Sequence, residues 1–323
     1  MTGGPRRPTR ADVARRADVS DAVVSYVLSG SHPVSEATRA RVLAAIEELG
    51  YRRNATARAL RRGRSDSVGL VLSDIENPHF MALARAVESR LASLGQALLI
   101  AELREDGSAV REMVARGVDA LLVTGGPTPD VATEVPTVLL DRGGPEAGHV
   151  TIGVDAVPAA VAAVDHLLER HGHGSVALVT GASPGDDDPR ETGWRDAHAA
   201  RGRPTGPVEV TSWTRAGGAE AARRLLERDD RPTAVLAASD LIAVGVLRAA
   251  LDLGLSVPGD LAVVSYDGTD EARFAASPLT TIEQPRDAMA ALAVDLLLAG
   301  AREPDHHAFA APLVVRRSCG CPA

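Results

Sequence analysis

The sequence predicts an α/β protein of two lobes, each built on a doubly wound parallel sheet, behind an N-terminal all-α helix-turn-helix unit. Three observations carry this. Residues 9–50 show capped apolar patterns of helical period and no strand. From Val68 onward, short continuous apolar runs alternate with segments of helical length, in two successive series, as two parallel-sheet lobes require. Charge is divided as well: residues 1–64 hold 13 Arg against 6 Asp and Glu, a net of +7, and the remainder carries −15, giving the chain its −8. A basic head on an acidic body is the footprint of a polyanion-binding segment.

At 323 residues the chain exceeds what one core usually carries, so two or three domains are expected. Hydrophobic residues make up 45% and aromatics only 2%, which leaves packing to Ala, Val and Leu. All 35 basic residues are Arg, whose planar fork of donors suits phosphates and guanine edges.

In chain order, Thr9 caps a first helix to about Ala17, with Asp12 in the capping-box position and Val13, Ala14 and Ala17 on one face. Ser20 caps a second, Asp21 to Leu28, with Val24, Val27 and Leu28 inward. Ser35 caps a third, Glu36 to Leu49, with Val42, Ile46 and Leu49 inward and Gly50 as its left-handed stop. The tight break between the first two makes a helix-turn-helix. "YRRNATARALRRGRSDS" is an Arg-rich linker with little to bury, whose short helix from Asn54 to Leu60 forms only in context. "VGLVLSDI" then starts the first series: helix 80–94, strand "ALLIAEL", helix 109–116, strands "ALLVTGG" and "TVLLDR". The second series runs helix 157–170, strand "SVALVTG", helix 191–201, strand "VEVTSW", helix 217–228, strand "AVLAAS", helix 240–253 and strand "LAVVSYDG". Ligands of such sheets bind outside the carboxyl ends of the strands. Those ends carry Asp74, Thr124, Asp141, Ser183, Trp213, Asp240 and Asp267, a line of polar residues placed to ring a cleft; Asp240 also fits an N-cap.

Several classes are excluded. Cys319 and Cys321, one residue apart, are too close for an unstrained bridge and too few for a metal site, so neither metal nor cofactor is expected, and a reducing cytosol fits. "MTGGPRRPTR" has no apolar core of a signal peptide, and no run reaches the roughly 20 apolar residues of a membrane span. A cytoplasmic location follows. The sequence holds no G-x-S-x-G elbow, P-loop or H-E-x-x-H, and "ERHGHG", with His171 and His173, reads as a helix end; an enzyme is not expected.

The chain resembles the LacI/GalR family of bacterial transcriptional regulators along nearly its whole length. "DVARRADVSDAVVSYVLSG", "VSEATRARVLAAIEELGYRRNATARAL", "SDIENPHF", "VLLDRGG", "SVPGDLAVVSYDG" and "SPLTTIEQP" carry the resemblance in the family's order and spacing. It implies a sequence-specific DNA-binding regulator, acting as a repressor and controlled by a small-molecule effector. The subunits would form a homodimer, or a tetramer as a dimer of dimers, on near-palindromic double-stranded operator DNA. The implied domains are 1–52, the DNA-binding head; 53–65, a hinge helix; 66–160 plus 284–311, a first lobe; and 161–283 plus 312–323, a second, together like a periplasmic sugar-binding protein. The alternative, a periplasmic-type solute receptor without DNA function, leaves residues 9–62 without a use.

By the resemblance, the second helix enters the major groove. Asp21 and Ala22 take the leading base-reading positions, where Asp accepts from cytosine and Ala touches a thymine methyl. Ser25 faces phosphate and Ser20 caps. Val23 replaces the usual Thr and Tyr26 the usual Arg, which predicts an unusual operator. Thr9, Arg10 and Arg39, with Arg6, Arg7, Arg53, Arg58 and Arg61, position the backbone; Asn54, Ala57 and Arg58 match the hinge, and Leu60 its minor-groove wedge. Arg53 stands where proline usually precedes Asn54.

Effector positions fall on Asn77, His79, Phe80, Asp141, Arg142 and Asp155, then on Arg190, Trp213, Asp240 (or Ser239), Asp267 and Gln284. Carboxylates and Arg bond hydroxyls, and Phe80 and Trp213 stack on a sugar face. Asp186, Asp187 and Asp188 read as a solvated loop beside the cleft.

Overall fold

The computed structural model describes residues 8–51, 64–104, 106–125, 135–182 and 187–322. Two compact units result, residues 1–65 and 66–323. The first holds α1 (Arg10–Ala17), α2 (Asp21–Ser29) and α3 (Glu36–Leu49). All three start on the predicted side-chain caps, and the Thr9–Asp12 capping box is complete. Asp18 ends α1 in the left-handed region (φ 50°), which turns the chain sharply enough for α2 to fold back. Val13, Ala14, Ala17, Val24, Val27, Val42 and Ala45 form a separate small core, so valine on α2 serves packing despite its strand preference.

The second unit contains two six-stranded sheets. The first is built from β1 (Ser67–Leu72), β2 (Ala97–Glu102), β3 (Ala120–Thr124), β4 (Thr137–Leu140), β5 (Val150–Val154) and β11 (Asp305–Phe309). The other comprises β6 (Ala177–Thr180), β7 (Val208–Val210), β8 (Ala234–Ala237), β9 (Ala262–Asp267), β10 (Thr280–Glu283) and β12 (Leu313–Val314). Their orders, β2-β1-β3-β4-β5-β11 and β7-β6-β8-β9-β10-β12, repeat one topology. Every pairing is parallel except the short edge pair β10–β12. The order reverses beside β1 and beside β6, and at such switch points the strand ends open a crevice for ligands.

Helices α4 (Pro78–Ser93) and α5 (Ser108–Ala115) belong to the first series. In the second, α6 (Ala156–Asp165), α7 (Pro189–Ala200), α8 (Arg215–Leu226), α9 (Asp240–Asp252) and the single turn α10 (Asp270–Arg273) alternate with strands. Then α11 (Arg286–Leu298) returns to pack on α4 and the first sheet. The chain thus passes between the sheets three times: after β5, after β10 and between β11 and β12.

Several elements go beyond the sequence reading. The strand at 150–154, the helix at 286–298 and the three strands β10, β11 and β12 were not expected. The first follows a Gly- and Pro-rich loop; α11 is apolar nearly all round and shows little period; β10 (TTIE) and β11 (DHHAF) are too polar to read as apolar runs, and β12 is only two residues long. The predicted helix 157–170 is α only to Asp165 and continues as a π-helical turn, His166–Arg170. One further expectation is corrected. Asp188 is not solvated: it is 6% exposed, caps α7 and pairs with Arg190. Tertiary folding also brings His166 and His171 against Cys319 and Cys321.

Candidate nucleic-acid interface and effector cleft

The head presents α2 with Ala22 exposed and Asp21, Ser25 and Tyr26 half-buried. Ser20 caps the helix through Val23 N–H, and Thr9 is engaged with Asp12. Arg39 lies half-buried on α3. Tyr26 stacks on His32, ring centroids 4.2 Å apart, which fixes the phenol at the end of the helix. Asp21 and Arg10 meet each other: Arg10 Nε donates to Oδ1 at 2.6 Å and Nη2 to Oδ2. Each thereby has its charge opposed by the other. Asp21→Ala is expected to release Arg10 to a phosphate, raising affinity for random-sequence DNA and steepening the log–log salt dependence by about 0.9. Anisotropy titrations over a salt series measure this; an unchanged slope refutes it. Asn54, Ala57, Arg58 and Leu60, like Arg6, Arg7, Arg53 and Arg61, lie outside the described residues.

Between the two sheets, strand ends and helix starts converge. Asn77 caps α4 by accepting from His79 N–H at 3.0 Å, which sets His79 at the head of that helix. The His79 ring spans the lobes: Nε2 lies 3.2 Å from Asp141 Oδ2, after β4, and Nδ1 4.0 Å from Asp267 Oδ1, at the end of β9. Both aspartates have positive φ, 62° and 113°, strained for residues with a side chain, and such strain concentrates at binding sites. Phe80 meets His79 edge-on at 5.1 Å. From the second lobe, Asp188 holds Arg190 (Nε to Oδ1, 2.9 Å), and Arg190 Nη1 donates to the Ala238 carbonyl at 3.3 Å. The guanidinium lies 4.6 Å over Trp213 and 5.6 Å from the Tyr266 ring. Trp213 rests against Gly181, where a β-carbon would stand 2.4 Å from the indole; only glycine admits this ring here. Gln284, at the second crossing, donates from Nε2 to Asp267 Oδ1 at 3.2 Å.

Charge in the cleft is finely opposed. Burial disfavours the His79 cation, but Asp141 and Asp267 outweigh it and raise the ring's pKa. Burial likewise disfavours the Asp141 carboxylate, and His79, Arg190 and Arg142 more than compensate, holding its pKa low. Asp267 goes the other way: burial, reinforced by Asp240 and Asp141 against His79 and Arg190, pushes it up to about 7. The Tyr266 hydroxyl and Gln284 Oε1 are buried and find no hydrogen-bond partner among the described residues. Buried polar atoms are nearly always paired, so these two atoms have hydrogen-bonding capacity left over for a bound water or ligand.

The structure therefore gathers His79, Phe80, Asp141, Arg190, Trp213, Asp267 and Gln284, with Asn77 in support. Three predicted residues stand differently. Asp240 is 1% exposed and already accepts from Ser265, Thr281 and Thr269, so it props the Asp267 loop from behind; Ser239 caps the helix. The Arg142 guanidinium turns to Glu146, 3.3 Å away. Asp155 is exposed at the start of α6. Sequence reasoning missed Tyr266 and put Asp188 in a solvated loop beside the cleft. Tyr266 sits one residue before Asp267 in a wholly buried strand, and Asp188 precedes Pro189 at a helix start; that Asp-Pro pair was the available signal.

A helix-turn-helix head joined to a two-lobed receptor with a polar, aromatic cleft defines a ligand-responsive, DNA-binding transcriptional regulator. Residues 9–54 match the bacterial regulatory proteins of the lacI family, and residues 164–319 a periplasmic binding protein-like domain. The chain is similar to the ribose operon repressor of Escherichia coli strain K12, 34% identical over 312 residues covering 92% of this chain and 94% of that protein. Among solved structures it is similar to the Lac repressor dimer bound to operator and the anti-inducer ONPF (TM-score 0.86, 28% identity, 97% of this chain and 99% of that one). It is also similar to a complex of the transcriptional regulator CelR with cellobiose (TM-score 0.68, 31% identity, 97% and 100%). The chain belongs to the lacI family of bacterial regulatory proteins. No helix among the described residues is long and apolar enough to cross a membrane.

Proposed function

We propose that this protein is a homodimeric repressor whose hold on a near-palindromic operator is set by a sugar or sugar derivative bound between the two lobes. In this reading residues 1–52 read DNA, 53–65 form the hinge, 66–160 with 284–311 make one lobe and 161–283 with 312–323 the other. It works in the cytoplasm and catalyses nothing. Asp21, Ala22, Ser25 and Tyr26 read or border bases; Ser20, Thr9, Arg10 and Arg39 position the backbone, with Asn54, Ala57, Arg58 and Leu60 acting at the operator centre. One observation carries the effector reading. The Arg190 guanidinium, over Trp213, lies close enough to Asp141 and Asp267 to act on the charge of both, and with the Asp141–His79–Asp267 chain and the unpaired Tyr266 hydroxyl and Gln284 Oε1 it puts polar and aromatic groups of both lobes in one cleft. A sugar ring matches both halves, its apolar face on Trp213 and its hydroxyls on the carboxylates. The repressor of a ribose operon and the cellobiose-bound CelR, both similar to this chain, support it.

A thermal-shift screen of pentoses, hexoses, disaccharides, nucleosides and amino acids tests this, each hit then being assayed for its effect on operator binding. A saturating sugar at 100 times its dissociation constant stabilises by about 2.7 kcal/mol. A hit confined to nucleosides or amino acids overturns the sugar reading.

Asp267 sets the pH dependence. With a folded pKa of about 7 it keeps its proton well above the pH at which an unfolded Asp ionises. The folded state therefore binds more protons in that window, and this group's contribution to stability falls as pH rises from about 4 through 7. Hydroxyl donors to its carboxylate favour ionisation, so effector binding releases a proton and tightens as pH rises through 7. Asp267→Asn is expected to flatten both trends. Calorimetry in buffers of different ionisation enthalpy counts the proton; equal pH profiles for variant and parent contradict the assignment.

A further inference from the structure

Outside the cleft contacts just described, the π-helical turn that continues α6 meets the C-terminal tail. His166 Nε2 lies 3.3 Å from Cys319 Sγ, 3.3 Å from His171 Nε2 and 3.7 Å from Cys321 Sγ, and His171 Nε2 lies 3.4 Å from Cys321 Sγ. All four atoms fall within 4.8 Å of one another. A tetrahedral zinc ion, with bonds of about 2.0–2.1 Å to nitrogen and about 2.3 Å to sulfur, holds its ligands roughly 3.3–3.8 Å apart. These four separations fit that figure, and the other two pairs lie within 4.8 Å. We propose that His166, His171, Cys319 and Cys321 form a closed, structural Zn²⁺ site that fastens the C-terminal tail to α6.

Three local features are built toward it. In an α-helix, residues five apart point about 140° away from each other, at 3.6 residues per turn. The π-helical turn His166–Arg170 replaces this with i→i+5 geometry, which stacks His166 under His171 on one face; such turns are rare and cluster at functional sites. Between the cysteines, Gly320 has φ 102°, and a β-carbon there would stand 3.2 Å from His171 Nδ1, so glycine lets both sulfurs face the same imidazoles. Thr280 Oγ1 donates to Cys319 Sγ at 3.1 Å, the kind of outer hydrogen bond that orients a metal-bound thiolate. Two nitrogens and two sulfurs select tetrahedral zinc over hard, oxygen-seeking ions, and four protein ligands leave no position for substrate. On binding, the two thiols lose their protons to solvent and the imidazoles bind as neutral ligands, so each ion taken up releases protons.

The test is cobalt substitution in tag-free, reduced, chelator-stripped full-length protein. One Co²⁺ per chain is expected, with the intense visible bands of a tetrahedral ion and a thiolate charge-transfer band, both erased by one equivalent of Zn²⁺. Zinc is expected to raise the melting temperature of the stripped protein and to protect both thiols from a thiol reagent. Cys321→Ser, with its fold checked by near-ultraviolet circular dichroism, loses one thiolate's worth of charge-transfer intensity and binds at least tenfold more weakly. A weak octahedral spectrum, stoichiometry far below one, unhindered thiol reactivity in zinc, or a Cys321→Ser spectrum like the parent's would overturn the site; the wild-type titration decides it even where a variant fails to fold.

Discussion

Removing residues 1–64 abolishes operator recognition while leaving a folded, effector-responsive protein. The operator is obtained by selecting DNA from a random pool with the full-length chain. The truncated protein is expected to lose at least about 10³-fold in affinity for it, the lower bound of the gap between specific and non-specific binding. The reason is both electrostatic and structural. The removed segment carries 13 of the 35 arginines and a net of +7, leaving a body at −15 that repels phosphate. Among the described residues its small core draws on none beyond Tyr51, and the remaining 259 residues keep their own sheets and cores. The effector-induced thermal shift should survive unchanged. Retained binding of the selected operator by the truncated chain would refute the assignment.

The second large effect is at Arg190. Its guanidinium is held by buried Asp188 and the Ala238 carbonyl and lies over Trp213, so truncation leaves a carboxylate buried without its partner. Arg190→Ala is expected to cost about 3 kcal/mol of stability, at the low end for breaking a buried pair, and to abolish the effector response. The two consequences separate in the double variant Asp188→Asn with Arg190→Ala. Neutralising the orphaned carboxylate recovers much of the stability, and effector binding stays lost because the platform is gone. Chemical denaturation and the thermal-shift assay read the two quantities independently. If the double variant regained effector binding, Arg190 would be only a structural support.

How much of this was legible beforehand varies with the range of the interaction. The three head helices and their caps were readable because each rests on a side chain and a backbone N–H three residues away. The buried parallel strands were readable as continuous apolar runs. The cleft's strand-end aspartates were readable as a set, since topology alone sends strand ends to one side. Their division of labour was not: Asp141 and Asp267 reach His79, whereas Asp240 is spent on Thr269, Thr281 and Ser265. Position at a helix start sets Asp240 apart, but nothing local shows that Asp141, after β4, and Asp267, ending β9, both reach one imidazole. Arg10 and Asp21 illustrate the same limit, two predicted DNA contacts that the turn places against each other.

The class of this protein is readable along the chain: a basic, capped helix-turn-helix before two β/α series, with motifs in the order of one family. Those features are local or periodic, and periodicity survives without coordinates. Which polar groups meet was set by the packing of distant segments. It set His79 between two lobes, left Tyr266 and Gln284 with unpaired atoms, buried Asp188, and drew His166 and His171 onto cysteines some 150 residues away. Such meetings depend on three chain crossings between sheets and on a single π-turn, and no spacing along the chain encodes the distance between side chains that crossings bring together.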